Sequence, residues 1–122
     1  MNKQITEDYC SFEVAKLLKE KGFYIPCRQA YFNGSLVDYT MYGFCDGELL
    51  DCPSQSLALK WLREVHNRYI EIYTDRAYNF KDIVFRPAIY DRELNCLWES
   101  DNFLTYEQAV EAALFYVLKN LI

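Results

Sequence analysis

Apolar residues recur along this chain at two spacings, one helical and one extended. Between residues 53 and 67, Leu57, Ala58, Trp61, Leu62 and Val65 fall on one side of a helix, and Ser56, Lys60, Arg63, Glu64 and Asn67 take the other. That spacing predicts a central helix. Ser54 stands where its hydroxyl can accept from a first-turn N–H, and Asn67 where the chain can turn left-handed. An earlier helix is predicted with Thr6 as N-cap, Glu7 and Asp8 in the first turn, Phe12, Ala15 and Leu18 inward and Gly22 at its end. The last helix has the sharpest start. Thr105-Tyr106-Glu107-Gln108 reads as a capping box, with Leu104 and Ala109 as its hydrophobic staple. From 109 to 122 only Glu111, Lys119 and Asn120 are polar, so this helix needs cover on more than one side, from the sheet and helices or from a second copy.

Strands fill the intervals. A strand is predicted over 23–32, interrupted by Pro26, then a type I′ turn at Asn33-Gly34 and a returning strand over 36–44. A short third strand is placed at Glu48-Leu49-Leu50. After the central helix come a strand over 69–74, a turn through Asp75-Arg76, a strand over 83–90 whose Pro87 marks an edge or bulge, and a short strand over 96–99. Lys16-Leu17-Leu18-Lys19-Glu20 matches Lys60-Trp61-Leu62-Arg63-Glu64, and Tyr24-Ile25 matches Tyr69-Ile70. The expected architecture is one α+β domain over 1–122: three helices packed on one side of about six mostly antiparallel strands. Two related helix–strand–strand–strand units, about 6–52 and 53–122, share the central helix.

Composition changes this picture in few places. Hydrophobic residues are 52% and charged ones 25% of the chain, which excludes wholesale disorder. The aromatic share of 17% is high. Net charge is −5, and its basic residues concentrate in 53–90, where 6 Lys/Arg meet 4 Asp/Glu. That balance argues against nucleic acid as a partner. The first ten residues hold no apolar export segment, and the apolar run over 112–118 is far short of the ~20 residues that span a bilayer. A cytoplasmic protein away from the membrane is expected, its five cysteines free thiols in a reducing compartment.

The candidate chemistry is thin. His66, the single histidine, falls in the last turn of the central helix, a position that favours a cation for structural reasons. No nucleophile motif or phosphate-cradling glycine loop accompanies it, and no cofactor is implied. Cys45 and Cys52 have no second pair to complete a zinc site. Asp46, Glu48 and Asp51, like Glu99 with Asp101, lack the regular oxygen spacing of a calcium loop. None of this points to catalysis.

The aromatic residues carry more. Period two sets Ile70 and Ile72 on one face of their strand and Tyr69, Glu71 and Tyr73 on the other. Over 36–44 it separates Val37, Tyr39 and Met41 from Leu36, Asp38, Thr40 and Tyr42. Tyrosine pairs an apolar ring with a polar tip, as an interface requires. The candidate interaction residues are Tyr69, Glu71, Tyr73, Tyr39 and Tyr42 on strands, with Phe115 and Leu118 on the last helix. Self-association and an unidentified protein partner are the expected contacts.

The three helical stretches, Ile5-Thr6-Glu7-Asp8-Tyr9 with 11–23, Lys60-Trp61-Leu62-Arg63-Glu64-Val65-His66-Asn67, and Thr105-Tyr106-Glu107-Gln108-Ala109 through the C-terminal Asn120-Leu121-Ile122, resemble a group of small uncharacterised proteins encoded by phages and integrated elements of gut anaerobes. The resemblance implies a cytosolic accessory protein of a mobile element; it brings no activity, cofactor or catalytic residue. An alternative class is a nucleic-acid-associated regulator. The order helix–three strands–helix is that of double-stranded-RNA-binding folds, and Thr-Tyr-Glu-Gln-Ala-Val-Glu-Ala after a strand set resembles HicB-type antitoxins.

Overall fold

The computed structural model describes residues 4–38 and 49–122. They form three helices and two three-stranded antiparallel sheets, a mixed α+β fold. Helix α1 (Phe12–Glu20) starts later than the sequence predicts. Its N-cap is Ser11, whose Oγ accepts from the Val14 N–H at 3.2 Å. Thr6, Glu7 and Asp8 lie in an extended lead-in, because the backbone there has found partners 45 residues on in the chain's next helix start: Cys10 N–H donates to Pro53 O at 3.1 Å and Gln55 N–H to Asp8 O at 2.8 Å. The second of these bonds satisfies a first-turn amide that the helix could not satisfy internally. At its far end α1 closes in a Schellman turn. Gly22 sits at φ +96°, Gly22 N–H reaches Lys19 O and Phe23 N–H reaches Leu18 O. Phe23 is thereby buried, edge-on to Trp61 at 5.4 Å.

The first sheet has the order β2-β1-β3, from β1 (Gln29–Phe32), β2 (Ser35–Asp38) and β3 (Leu50–Asp51). Asn33 and Gly34, both at positive φ, make the predicted two-residue turn and pair Phe32 with Ser35. Strand β1 is shorter than the predicted 23–32. Most of the predicted 36–44 strand, with Tyr39 and Tyr42, lies outside the described residues.

Helix α2 (Gln55–His66) matches the expected central helix, capped by Ser54 Oγ on Leu57 N–H at 3.2 Å and ended by left-handed Asn67. Trp61, Ala58 and Leu62 enter the core, but Val65 is 57% exposed. The second sheet is the meander β4 (Tyr69–Arg76), β5 (Ile83–Tyr90), β6 (Cys96–Glu99). The turn between β4 and β5 is at Ala77–Asp82, not at Asp75-Arg76, which pair as strand residues. Pro87 sits in the middle strand, not on an edge. Phe85 exchanges bonds with Phe103, so the backbone of every second residue from Phe85 faces the β6 side. Pro87 shares that orientation: its carbonyl accepts from Ser100 at 3.1 Å, and its missing N–H falls where the chain swings out between Glu99 and Phe103. The β4–β5 ladder is untouched.

Helix α3 (Tyr106–Asn120) is the element on which both halves converge, a role the sequence assigned to α2. It packs on α1, α2, β4 and β5. Ala109, Val110, Ala113, Leu114, Val117 and Leu118 are all fully buried along it. Each of its larger aliphatic side chains contributes about 1.5–3 kcal/mol. Thr105 caps the helix through Gln108 N–H at 3.1 Å, but Leu104 stays 72% exposed and closes no staple over Ala109. Among the described residues the two sheets differ in strand order: the first strand is central in one and the middle strand in the other.

Candidate functional site

The pairing of β4 with β5 places Tyr69 opposite Tyr90, Glu71 opposite Ala88 and Tyr73 opposite Arg86, on the face away from Ile70, Ile72 and Ile89. Those three isoleucines belong to the core or pack against it. On the outer face the Tyr73 and Tyr90 hydroxyls meet at 2.8 Å, bridging over the small Ala88. That hydrogen bond, followed by burial and the nearby Glu71 carboxylate, pushes the Tyr73 phenol above its ordinary range. Arg86 pairs with Asp75 at 3.8 Å, a solvent-exposed contact of little energetic weight. The face therefore holds two tyrosine rings tied at their hydroxyls, with Tyr69 on the same side, flanked by the Arg86 cation and the Glu71 and Asp75 carboxylates. Tyr69, Glu71 and Tyr73 come together here as predicted; Tyr90 and Arg86 join them through strand register, which sequence reasoning had left open.

The β4–β5 turn extends this face. Asn79 Oδ1 accepts from the Lys81 and Asp82 amides at 2.9 and 3.3 Å, and its Nδ2 donates to Asp82 Oδ2 at 2.9 Å. Phe80 is held left-handed at φ +57°. The turn is ordered from within, and it presents Tyr78 at 99% exposure and Phe80 at 76%. The Asn-x-x-Asp spacing was the available signal for it.

The two candidates on α3 separate. Leu118 is completely buried in the core and cannot contact a partner. Phe115 is exposed, with Lys119 Nζ 5.5 Å above its ring, and borders a groove of about 680 Å³ between α1, the 102–104 segment and α3.

The titratable groups are structural in their contacts. Cys10 and Cys52 are buried and free; Cys52 Sγ donates to Cys10 O at 3.1 Å. Burial pushes the Cys52 thiol up to about 12 and raises the Cys10 thiol as well, so neither is a thiolate at neutral pH. Tyr31, its hydroxyl on Cys10 O at 2.8 Å, rises to about 12 for the same reason. His66 stacks edge-on to Trp61 at 4.7 Å with its Nε2 unbonded. Burial first, then the Arg68 and Lys21 charges, lower its pKa, so the imidazole is held neutral and not as the cation its helix position suggested. Glu111 ties the three helices: its carboxylate accepts from Ser11 N–H at 2.9 Å and Gln55 Nε2 at 3.2 Å. Among the described residues no three Cys, His, Asp or Glu side chains gather as a metal ion requires, and no helix is long and apolar enough to cross a membrane. Asp51 accepts from Cys27 N–H; Glu99 and Asp101 line a polar cleft with Tyr78 and Arg86. Cys45, Asp46 and Glu48 lie outside the described residues.

No protein-family model matches the chain, and no curated protein or solved structure is similar enough to count as a match.

Proposed function

We propose that this chain is a non-enzymatic interaction protein, a small cytoplasmic accessory factor of a phage or integrated element that acts by binding protein through the outer face of its second sheet. The observation that supports this reading is the Tyr73–Tyr90 hydroxyl bond at 2.8 Å on an exposed face. It fixes large aromatic side chains before any partner arrives, so binding loses little side-chain entropy. Tyrosine and arginine are the residues that dominate such interfaces, and Tyr69, Tyr73, Tyr90 and Arg86 share this one.

The test is affinity capture from the native cell with the tagged chain and with a Tyr69→Ala/Tyr73→Ala variant whose unfolding midpoint is checked first. A polypeptide that co-purifies with the native chain and is lost with the variant supports the reading. Identical captures from both would overturn it. Steep, salt-sensitive retention on heparin would overturn it in favour of the nucleic-acid class.

A further inference from the structure

The bonds that join β5 to its neighbours also orient β4. Phe85 faces Phe103, so Val84, Arg86, Ala88 and Tyr90 face β4, and Ala77 N–H meets Asp82 O in the same ladder. Tyr69, Glu71, Tyr73 and Asp75 therefore point their backbone groups at β5. Ile70, Ile72 and Thr74 point theirs outward, and among the described residues no strand lies beyond them. Arg76 N–H is taken by Asp75 Oδ1 at 2.7 Å, which ends the open row. An open edge of 8 residues is long, and it carries no proline, bulge or lysine to blunt it; its charged side chains are Glu71, Asp75 and Arg76.

We propose that β4 pairs antiparallel with β4 of a second copy of this chain, Ile72 opposite Ile72, to join the two outer sheets across a two-fold axis. This rests on the interaction reading above and names the partner and the edge. The outward residues all have even numbers, so only a few registers satisfy them on both sides, and side-chain charge chooses among these. Shifting the centre to Glu71 sets that carboxylate against its own copy. Shifting it to Tyr73 sets Glu71 against Asp75. Centring on Ile72 sets Glu71 against Tyr73 and Tyr69 against Asp75, with no carboxylate facing another. The same register continues the tyrosine face of one copy into that of the other. It also directs each β4–β5 turn, with its exposed Tyr78 and Phe80, toward the start of the other copy's β4.

Light scattering after size exclusion, over a dilution series of the full chain, should give twice the 14.5 kDa chain mass at the concentrated end. Thr74→Pro removes only an outward N–H from an exposed position, so it should give the single-chain mass with an unchanged circular dichroism spectrum. Tyr73→Pro removes an inward one and should unfold the sheet. Hydrogen exchange needs no variant: the Ile70, Ile72 and Thr74 amides should slow as concentration rises while the exposed turn amides do not. Mixed Glu71→Cys and Tyr73→Cys chains should cross-link with each other in preference to themselves. A single-chain mass at every concentration overturns the self-pairing and leaves the interaction reading to its capture experiment. A dimer that survives Thr74→Pro, or outward amides indifferent to concentration, overturns the edge as its site. Protection of those amides only on adding another protein assigns the edge to that protein's strand and overturns the second copy.

Discussion

Among the described residues each sheet has three antiparallel strands, yet the central strand of the second is twice the length of the central strand of the first. Strand β5 runs 8 residues, against 4 for β1. The helices differ in step. Helix α3, 15 residues or roughly 22 Å long, lies over the second sheet, whose eight-residue strands span roughly 26 Å. Helix α1, 9 residues or roughly 13 Å, serves the first, where the four-residue β1 spans a similar length. A sheet extends as far as an apolar helix face is present to cover it. Helix α3 packs on both long strands of the second sheet, β4 and β5, while the outer edge of β4 has no strand beside it among the described residues.

The comparison can be broken most directly at Leu114, fully buried on α3. Leu114→Ala should destabilise the protein by about 2–5 kcal/mol in urea titration, with β5 amides losing more exchange protection than β1 amides. Equal losses would mean the two sheets do not depend differently on α3. Glu111 tests the tie between the halves. Glu111→Ala strips the acceptor from Ser11 N–H while Gln55 keeps Glu107 O, so a loss of about 1–3 kcal/mol is expected, with α1 fraying first by exchange. A change confined to the first sheet comes from Gly34, at φ +82° with open space around it. Gly34→Ala there costs backbone strain alone, about 1 kcal/mol, and should leave β4–β6 protection untouched.

The smallest effect is on pH. His66 titrates below 6.5 in the folded chain and near 6.5 when unfolded, so the unfolded state takes up its proton first. Its contribution is full above that value and is lost as pH falls through the folded pKa. The unfolding midpoint should drop between about pH 7.5 and about pH 5.5, and drop less in His66→Gln.

Several features could be read directly because they depend on a few adjacent residues. Ser54 and Thr105 cap the last two helices, Asn33-Gly34 turns the first hairpin, Gly22 ends α1, and 83–90 and 96–99 are strands. Thr6 misled because two N-caps compete before α1, and the choice of Ser11 was made by Pro53 and Gln55, far along the chain. Pro87 misled because a proline is excluded only where its N–H would face a strand, which depends on where β6 ends. In the candidate face, Tyr69, Glu71 and Tyr73 followed from alternation, whereas Tyr90 and Arg86 required register. Leu118 carried the same apolar signal as Phe115, and only packing separated the buried side from the wet one.

Local chemistry in the chain decided which segments coil, which extend and where most of them stop, since a cap, a left-handed turn residue or a two-residue alternation acts within one turn or one strand. Folding decided the order of strands, the burial of α3, the neutral state of His66 and, among the described residues, the open edge of β4. Each of these depends on groups brought together from distant parts of the chain, and a spacing rule measures only what is near.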